Sequence, residues 1–476
     1  MLQPINFIKA SIVLRSRALK SDVMLSTSTQ DPVVSAAIHT IRTTISQLPR
    51  IWPNWILLTL SALLIAAPAS TKIAGAAWLL VVVFGLWTVL RIPGVLTSKH
   101  PLVQSSWVWA VACFCALALK FVATYYWADP WGDRHVEVRL FLGAAATLAL
   151  VRRQSLSPAQ KIWLTHSLAF ACWVALSVSY QFGRATPSNA IPWAAGVSFL
   201  VCLLLPLAIQ PDTTGWERGV WSGSVLAGLV AVLLSQSRGS YGLVIWVVLF
   251  AGVAATRQLL RRRKTSAQWR GTVAWWLGRT VAAVVFLTVV FVSFPRIYEE
   301  PSARVTAAWQ EIQDMSVSAL PKVGAINTSV GVRLYMWRMA IKEIGDAPLL
   351  GHGSKSRIAW IHALGEFESL ETVKNLDHLH SDPLTTLFDH GLLGLLSYLS
   401  LSLGLAWVAL SRKLPGAVLQ WSAAGILWMH LSAGLTNTNF GHNYYGVMLA
   451  LSLALAWILS TGKTDEMTVP PTEFER

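Results

Sequence analysis

Residues 191–210 read IPWAAGVSFLVCLLLPLAIQ, a run of twenty residues without a charged side chain. An α-helix of about 20 apolar residues is long enough to cross the hydrocarbon core of a bilayer. Similar runs recur along the chain, whereas the strands of a membrane barrel would alternate apolar and polar residues over about ten positions. The sequence therefore predicts an all-α polytopic membrane protein.

About twelve transmembrane helices are predicted on this basis. They are placed at residues 53–70, 73–90, 103–126, 138–151, 162–183, 191–210, 219–236, 241–256, 273–294, 384–410, 417–435 and 444–460. The predicted organisation is a basic, flexible cytoplasmic leader (1–50), helices 1–9 (51–294), a large loop on the outer face (295–383), helices 10–12 (384–460) and a cytoplasmic tail (461–476).

The composition agrees with a membrane protein and supplies an orientation. Of the 476 residues, 54% are hydrophobic and 13% are charged, against about 25% charged in soluble domains. The 38 Lys and Arg outnumber the 23 Asp and Glu, giving a net charge of +15. Most of this excess falls in the leader and in alternate loops, where it predicts cytoplasmic termini by the positive-inside rule rather than nucleic-acid binding.

The loop at 295–383 stands apart from the other connections. It holds nine basic and eleven acidic residues, a net charge of about −2. Within it, VRLYMWRMAIKEIG (332–345) predicts an amphipathic helix whose apolar face includes Leu334, Trp337 and Ile341. Such a helix is suited to lie on the membrane surface and cover a cavity.

Two arginines at the predicted outer face are candidate ligands for an anion. Arg238 lies in SQSRGSYG (235–242) at the mouth of two spans, where desolvation of a charge is costly without an anionic partner. Arg333 begins the amphipathic helix, and its planar group of donors matches phosphate oxygens. The alternatives are an interfacial Arg238 that reaches lipid phosphates and an Arg333 paired with a nearby acid.

A histidine pair precedes the tenth span, in HLHSDPLTTLFDHGLLG (378–394). Because histidine titrates near neutral pH, His378 or His380 is suited to accept a proton from a hydroxyl nucleophile. Asp377 and Asp382 leave a metal site open as an alternative, although no further ligands follow at compact spacing. A plain interfacial pair is the other alternative.

Other polar residues rank lower on the sequence alone. The run TNTNFGHNYYG (436–446) offers Asn437, Asn439, His442 and Asn443, which suit either sugar hydroxyls or a solvated turn. Lys120, inside a span, is expected to extend its ammonium toward the membrane surface.

In their order these motifs resemble the O-antigen ligase and O-antigen polymerase family of bacterial inner-membrane glycosyltransferases. The matching residues are Ser237-Arg238-Gly239, Arg333 with Trp337, Pro348-Leu349-Leu350-Gly351 with Gly353, and His380 with Gly391-Leu392-Leu393-Gly394. They all lie in the second half of the chain, and the first half agrees only in its pattern of spans. The ligases are the closer match.

The resemblance implies a GT-C-type glycosyltransferase with a polyprenyl-diphosphate-linked donor, no cofactor and no metal. Arg238 and Arg333 would bind the diphosphate and His380 would be the base, with His378, Arg304 and Arg338 as further substrate-binding candidates. In the family the histidine is usually followed by Asn or a similar small polar residue, and here Ser381 follows His380.

The expected partners are undecaprenyl-diphosphate-linked O-antigen as donor, lipid A–core oligosaccharide as acceptor, and membrane lipids. Three alternatives remain open: a polymerase that extends the lipid-linked glycan, transfer of glycan to a protein hydroxyl, and a transporter of polyprenyl-linked glycan. The transporter predicts inverted repeats and charges at the membrane midplane, and neither is evident in the sequence.

Overall fold

The computed structural model describes residues 52–91, 98–153, 155–210, 213–262, 295–316, 326–367, 369–411, 414 and 417–461. The predicted leader, the predicted span at 273–294 and nearly all of the predicted tail lie outside the described residues.

Fifteen α-helices and no strand are found in the described parts of the chain. In chain order they are α1 (Asn54–Ala66), α2 (Thr71–Arg91), α3 (Pro101–Tyr126), α4 (His135–Arg153), α5 (Pro158–Phe182), α6 (Ala190–Ala208), α7 (Gly215–Leu234), α8 (Gly242–Arg262), α9 (Arg296–Ser316), α10 (Gly331–Ile344), α11 (Ser354–Phe367), α12 (Glu371–Lys374), α13 (Asp382–Leu410), α14 (Ala417–Thr436) and α15 (Asn443–Ser460).

Eight of these helices are long and apolar enough to cross a membrane: α2, α3, α5, α6, α7, α8, α13 and α15. The chain is therefore a polytopic α-helical membrane protein. Helix α1 is apolar but shorter, and α4 and α14 are helices at predicted spans that fall outside this set. The total of twelve spans remains a prediction.

Helices α6 and α15 form the centre of the bundle, because nearly every side chain along each of them is buried. They pack against each other and against α4, α7 and α14. Their N-termini follow short connections from α5 and α14, so several helix ends meet at one face of the bundle. This is the face at which the candidate site lies.

The predicted large loop has a small apolar core of its own. Val332, Met336 and Ala340 of α10 pack there with residues of α11, α12 and the start of α13, including Phe388. The amphipathic helix is thus present, and Trp337 of its predicted apolar face packs against this core. The prediction is wrong for Ile341, which is 62% exposed. The buried face is centred on Met336 because its partner side chains come from the rest of the loop and from the start of α13.

The expectation for Lys120 is also wrong. Its side chain is buried in α3, with the ammonium 3.2 Å from Nδ1 of His390 on α13. A partner 270 positions away therefore holds the charge inside the bundle.

Candidate active site at one face of the bundle

Two adjoining cavities open among the helix ends at this face. The larger has a volume of about 360 Å³, and its lining includes Arg184, Arg333, His378, His380, Asn437 and His442. A narrower cavity of about 20 Å³ is lined by Arg238, Arg304 and also by Arg184, Arg333 and Asn437. The shared residues make the two cavities one continuous site.

Four arginines from separate parts of the chain meet at this site. Arg184 lies in the α5–α6 connection, Arg238 in the turn before α8, Arg304 on α9 and Arg333 on α10. Within the described residues, none of the four forms an ion pair with a carboxylate. Because unpaired cations repel one another when partly desolvated, this arrangement favours an anionic ligand with more than one charge.

The electrostatics of the arginines show how close their charges are. Burial and the charges of Arg238 and Arg184 lower the pKa of Arg333 to about 10, against a smaller opposite effect of Glu311. Burial, Arg304 and Arg238 also lower the pKa of Arg184. Both groups remain protonated at neutral pH, so the site carries a concentrated positive charge.

Local contacts position three of these arginines. Arg333 donates through Nη1 to the carbonyl oxygen of Thr436 over 3.2 Å, and Arg304 donates through Nη2 to Oε1 of Gln236 over 2.9 Å. The turn that carries Arg238 approaches α14 closely, since a Cβ at Gly239 would lie 2.4 Å from side-chain atoms of Thr436 and Asn437. Nη1 of Arg238 is buried and makes no hydrogen bond within the described residues.

Three histidines also line the larger cavity: His378, His380 and His442. The rings of His378 and His380 lie 4.4 Å apart between centroids. Burial, His378 and Arg333 lower the pKa of His380 to about 3, and burial, Arg357 and His442 lower the pKa of His378 to about 4. Both imidazoles are therefore neutral at pH 7 and able to accept a proton.

His380 has two features that distinguish it from His378. Its backbone φ is +53°, a left-handed conformation that costs a non-glycine residue about 1–2 kcal/mol. Its Nδ1 is buried without a hydrogen-bond partner in the described part of the chain. Local strain and an unpartnered basic atom are both typical of a functional position.

The segment Pro348–Gly353 supports the histidines through a break in α13. Gly391 has φ +56° and ψ −145°, so the helical hydrogen bonding is interrupted there. Pro348 O accepts from Leu392 N over 2.9 Å, and Gly353 N donates to Asp389 O over 2.7 Å. The segment thereby forms hydrogen bonds with backbone groups that the break leaves without helical partners. These bonds fix the position of the half of α13 that follows His380.

The structure brings together five of the residues proposed from the sequence: Arg238, Arg304, Arg333, His378 and His380. Arg338 is exposed on α10 and lines neither cavity.

Sequence reasoning missed Arg184 and Asn189 as members of the site. Arg184 is an isolated charge in a short connection between two predicted spans. The available signal in the sequence was that few basic residues lie in the predicted outside connections. Asn437 and His442, which ranked low on the sequence, also line the larger cavity.

Within the described residues, no group of three or more His, Cys, Asp or Glu side chains is arranged to hold a metal ion. The absence of a metal requirement remains a prediction.

The fold and its site define a multi-pass membrane protein with a cationic cavity between helix ends. Residues 223–399 match the protein-family model described as O-antigen ligase, which confirms the resemblance predicted from the motifs. The matched stretch, less than half of the chain, contains every motif from Ser237 to Gly394. It omits Arg184 and His442.

One curated relative is an uncharacterized protein from Haemophilus influenzae, 25% identical over 115 residues. The alignment covers 24% of this chain and 29% of that protein. The chain thus matches less than a third of the length of this relative, whose printed name gives no activity.

Proposed function

We propose that the protein is an O-antigen ligase. It transfers O-antigen polysaccharide from undecaprenyl diphosphate to a sugar hydroxyl of lipid A–core, without a metal and with inversion at the anomeric carbon. The observation that carries the proposal is one continuous site that holds three histidines, of which His378 and His380 are neutral, and four arginines that form no ion pair with a carboxylate of the described residues.

The arginines suit the donor. A diphosphate bears at least two negative charges, and Arg184 and Arg333 border both cavities, so they are placed to contact both phosphates. When the bond between the anomeric carbon and the diphosphate oxygen breaks, its electron pair leaves with the diphosphate. Fixed cations at that position stabilise the charge as it develops.

The histidines suit the acceptor. The acceptor hydroxyl oxygen attacks the anomeric carbon from the side opposite the diphosphate, and His380 accepts the hydroxyl proton. Asn437, Thr438 and His442 line the same part of the cavity and offer hydrogen-bonding groups for sugar hydroxyls. Arg333 is close enough to His380 to lower its pKa, so the group that binds the diphosphate and the base belong to one reaction centre, on opposite sides of the anomeric carbon.

Two other functions compete with the ligase. A polymerase would use the same diphosphate and the same base, and the matched family covers ligases and related polymerases. An elongated lipid-linked glycan as the reaction product would favour the polymerase. A transporter of lipid-linked glycan is less well supported, because the arginines and histidines of the site cluster at one face of the bundle rather than at its midplane.

The proposed location is the bacterial inner membrane, with the site facing the periplasm and both termini in the cytoplasm. The helix ends on the opposite side of the bundle carry Arg91, Arg152, Arg153, Lys161 and Arg218, which agrees with the positive-inside rule for a cytoplasmic face.

The decisive experiment is reconstitution of the full chain with undecaprenyl-diphosphate-linked O-antigen and rough lipopolysaccharide, with and without a chelator. Glycan attached to lipid A–core supports the ligase. Longer lipid-linked chains with unmodified core reject it in favour of the polymerase, and loss of activity with the chelator rejects a metal-independent reaction.

A further inference from the structure

A buried triad of polar side chains adjoins the break in α13. His390, the residue before Gly391, has no exposed surface. Its Nε2 lies 2.9 Å from Oδ2 of Asp129, and its Nδ1 lies 3.2 Å from Nζ of Lys120. Lys120 and Asp129 are also buried, so these contacts are shielded from solvent.

The partners determine the state of the His390 ring. An ammonium group has only donors, so Nδ1 must accept from Lys120, while Nε2–H donates to the Asp129 carboxylate. A proton on Nδ1 would point at the Lys120 ammonium. His390 is therefore held as one neutral tautomer in one orientation. This state suits a role in holding the helix in place rather than in proton transfer.

Asp129 connects this ring to the segment that fills the break. Its two carboxylate oxygens also accept from the backbone N–H of Ser354, over 3.2 and 3.3 Å. Two residues earlier, the Trp127 indole donates to the carbonyl oxygen of Leu350 over 2.7 Å. The turn that follows α3 thus holds both the Pro348–Gly353 segment and the half of α13 with which that segment pairs.

That half of α13 begins at Asp382, two residues after His380. A rotation at Gly391 would therefore move His380 relative to Thr436 at the end of α14, whose carbonyl oxygen holds the guanidinium of Arg333. We infer that Asp129, His390 and Lys120 are positioning residues, which lock the broken helix so that His380 faces the cationic part of the site. This inference rests on the proposed function.

The test uses the full chain in lipid nanodiscs, with undecaprenyl diphosphate as the binding probe and the ligase reaction as the turnover assay. Since small displacements of a reacting group reduce rates by up to about a hundredfold, Asp129→Ala and His390→Ala are expected to lower kcat at least about tenfold. The Kd for undecaprenyl diphosphate stays near the wild-type value, because the arginines lie on other elements. The double variant loses little more than either single variant, since both remove one support.

Two further variants separate positioning from general stability. Asp129→Asn keeps an oxygen for Ser354 N–H and is expected to lose less kcat than Asp129→Ala. His430→Ala removes an equally buried ring that contacts Tyr445 and, in the half of α13 beyond the break, Tyr398, and its kcat is expected to stay within about twofold of the wild type.

A parallel loss of kcat and donor affinity in the triad variants, or an equal loss of kcat in His430→Ala, overturns the inference. If the alanine variants do not fold, His390→Gln decides: a lower kcat at unchanged Kd supports positioning, and a normal kcat rejects it. If the wild-type chain does not bind undecaprenyl diphosphate, the proposed function is rejected. The positioning role is tested on the variants, so failure of the proposed function and failure of this inference are distinguishable.

Discussion

The indole Nε1 of Trp337 donates a hydrogen bond of 2.6 Å to the carbonyl oxygen of Leu379. Leu379 lies between His378 and His380, and Trp337 is one helical turn after Arg333 on α10. One helix therefore carries a cation of the site and also holds the peptide that carries its histidines. This relationship gives a physical reason for the spacing of Arg333 and Trp337.

Trp337→Phe tests this coupling, because it keeps an aromatic ring and removes the donor. We expect kcat to fall about tenfold while donor affinity changes little, since a small displacement of His380 affects the reacting geometry alone. The matched control is Trp360→Phe, a change in the same apolar cluster where the ring packs on Phe388. Equal kcat values for the two variants would contradict the coupling.

The arginine cluster is tested by single substitutions to alanine. A charge-assisted hydrogen bond contributes about 1.5–3 kcal/mol, so Arg184→Ala, Arg238→Ala, Arg304→Ala and Arg333→Ala should each weaken binding of undecaprenyl diphosphate about ten- to a hundredfold. Isothermal titration of the protein in nanodiscs measures this.

Arg338→Ala is the control for the cluster, because it removes an exposed charge from the same helix as Arg333. Its affinity for undecaprenyl diphosphate should stay within about twofold of wild type. The salt dependence of binding provides a second criterion: added salt should weaken the binding of undecaprenyl diphosphate more in the wild type than in any variant of the cluster. Loss of affinity in Arg338→Ala equal to that in Arg333→Ala would argue for a diffuse charge effect instead of a site.

His380→Gln is expected to abolish transfer and to leave donor binding and membrane insertion intact, because it removes the base without changing the arginines. His378→Gln should retain measurable turnover, since Nδ1 of His380 is still free to accept the proton. Wild-type activity in His380→Gln would reject His380 as the base. Complete loss of turnover in His378→Gln alone would assign the role of base to His378.

The pH dependence follows from the sign of the His380 shift. A histidine acts as a base only when deprotonated, so activity is lost as the pH falls through its pKa. In the free protein this pKa is lowered to about 3 by burial, His378 and Arg333. The acid limb of kcat/KM, which reports the free enzyme, should therefore lie well below the ordinary histidine range.

Bound diphosphate adds negative charge beside Arg333, so it should raise the pKa of His380 in the complex. The acid limb of kcat is then expected at a higher pH than that of kcat/KM. His362→Gln, which removes a partly exposed histidine outside the cavity, should leave both limbs in place. Coincident limbs in the wild type would contradict the proposed effect of the donor.

The fold was largely accessible from sequence because each span is a long apolar run, and eleven of the twelve predicted runs coincide with helices in the described residues. Arg238, Arg333 and His380 were accessible because each belongs to a local motif. Arg184 was not, since its role depends on helix ends that meet only in three dimensions. Lys120 was misread for the same reason: its partner His390 lies on another helix.

The glycine at the helix break offers a test that does not depend on activity. Gly391→Ala places a Cβ about 2.4 Å from the carbonyl carbon of Leu349 and 2.6 Å from the nitrogen of Leu350, both of which are backbone atoms that cannot easily move. Its φ of +56° with ψ of −145° adds strain of about 1–3 kcal/mol for a residue with a side chain.

We therefore expect Gly391→Ala to lower the thermal unfolding midpoint of the purified chain by several degrees, because the Pro348–Gly353 segment must separate from α13. Gly75→Ala in α2 is the control, since no atom lies within 4 Å of its added Cβ. An alanine inside a helix is favoured over glycine by about 1 kcal/mol, so this variant should match or exceed the wild type. Equal midpoints for the two variants would show that the segment does not brace the break.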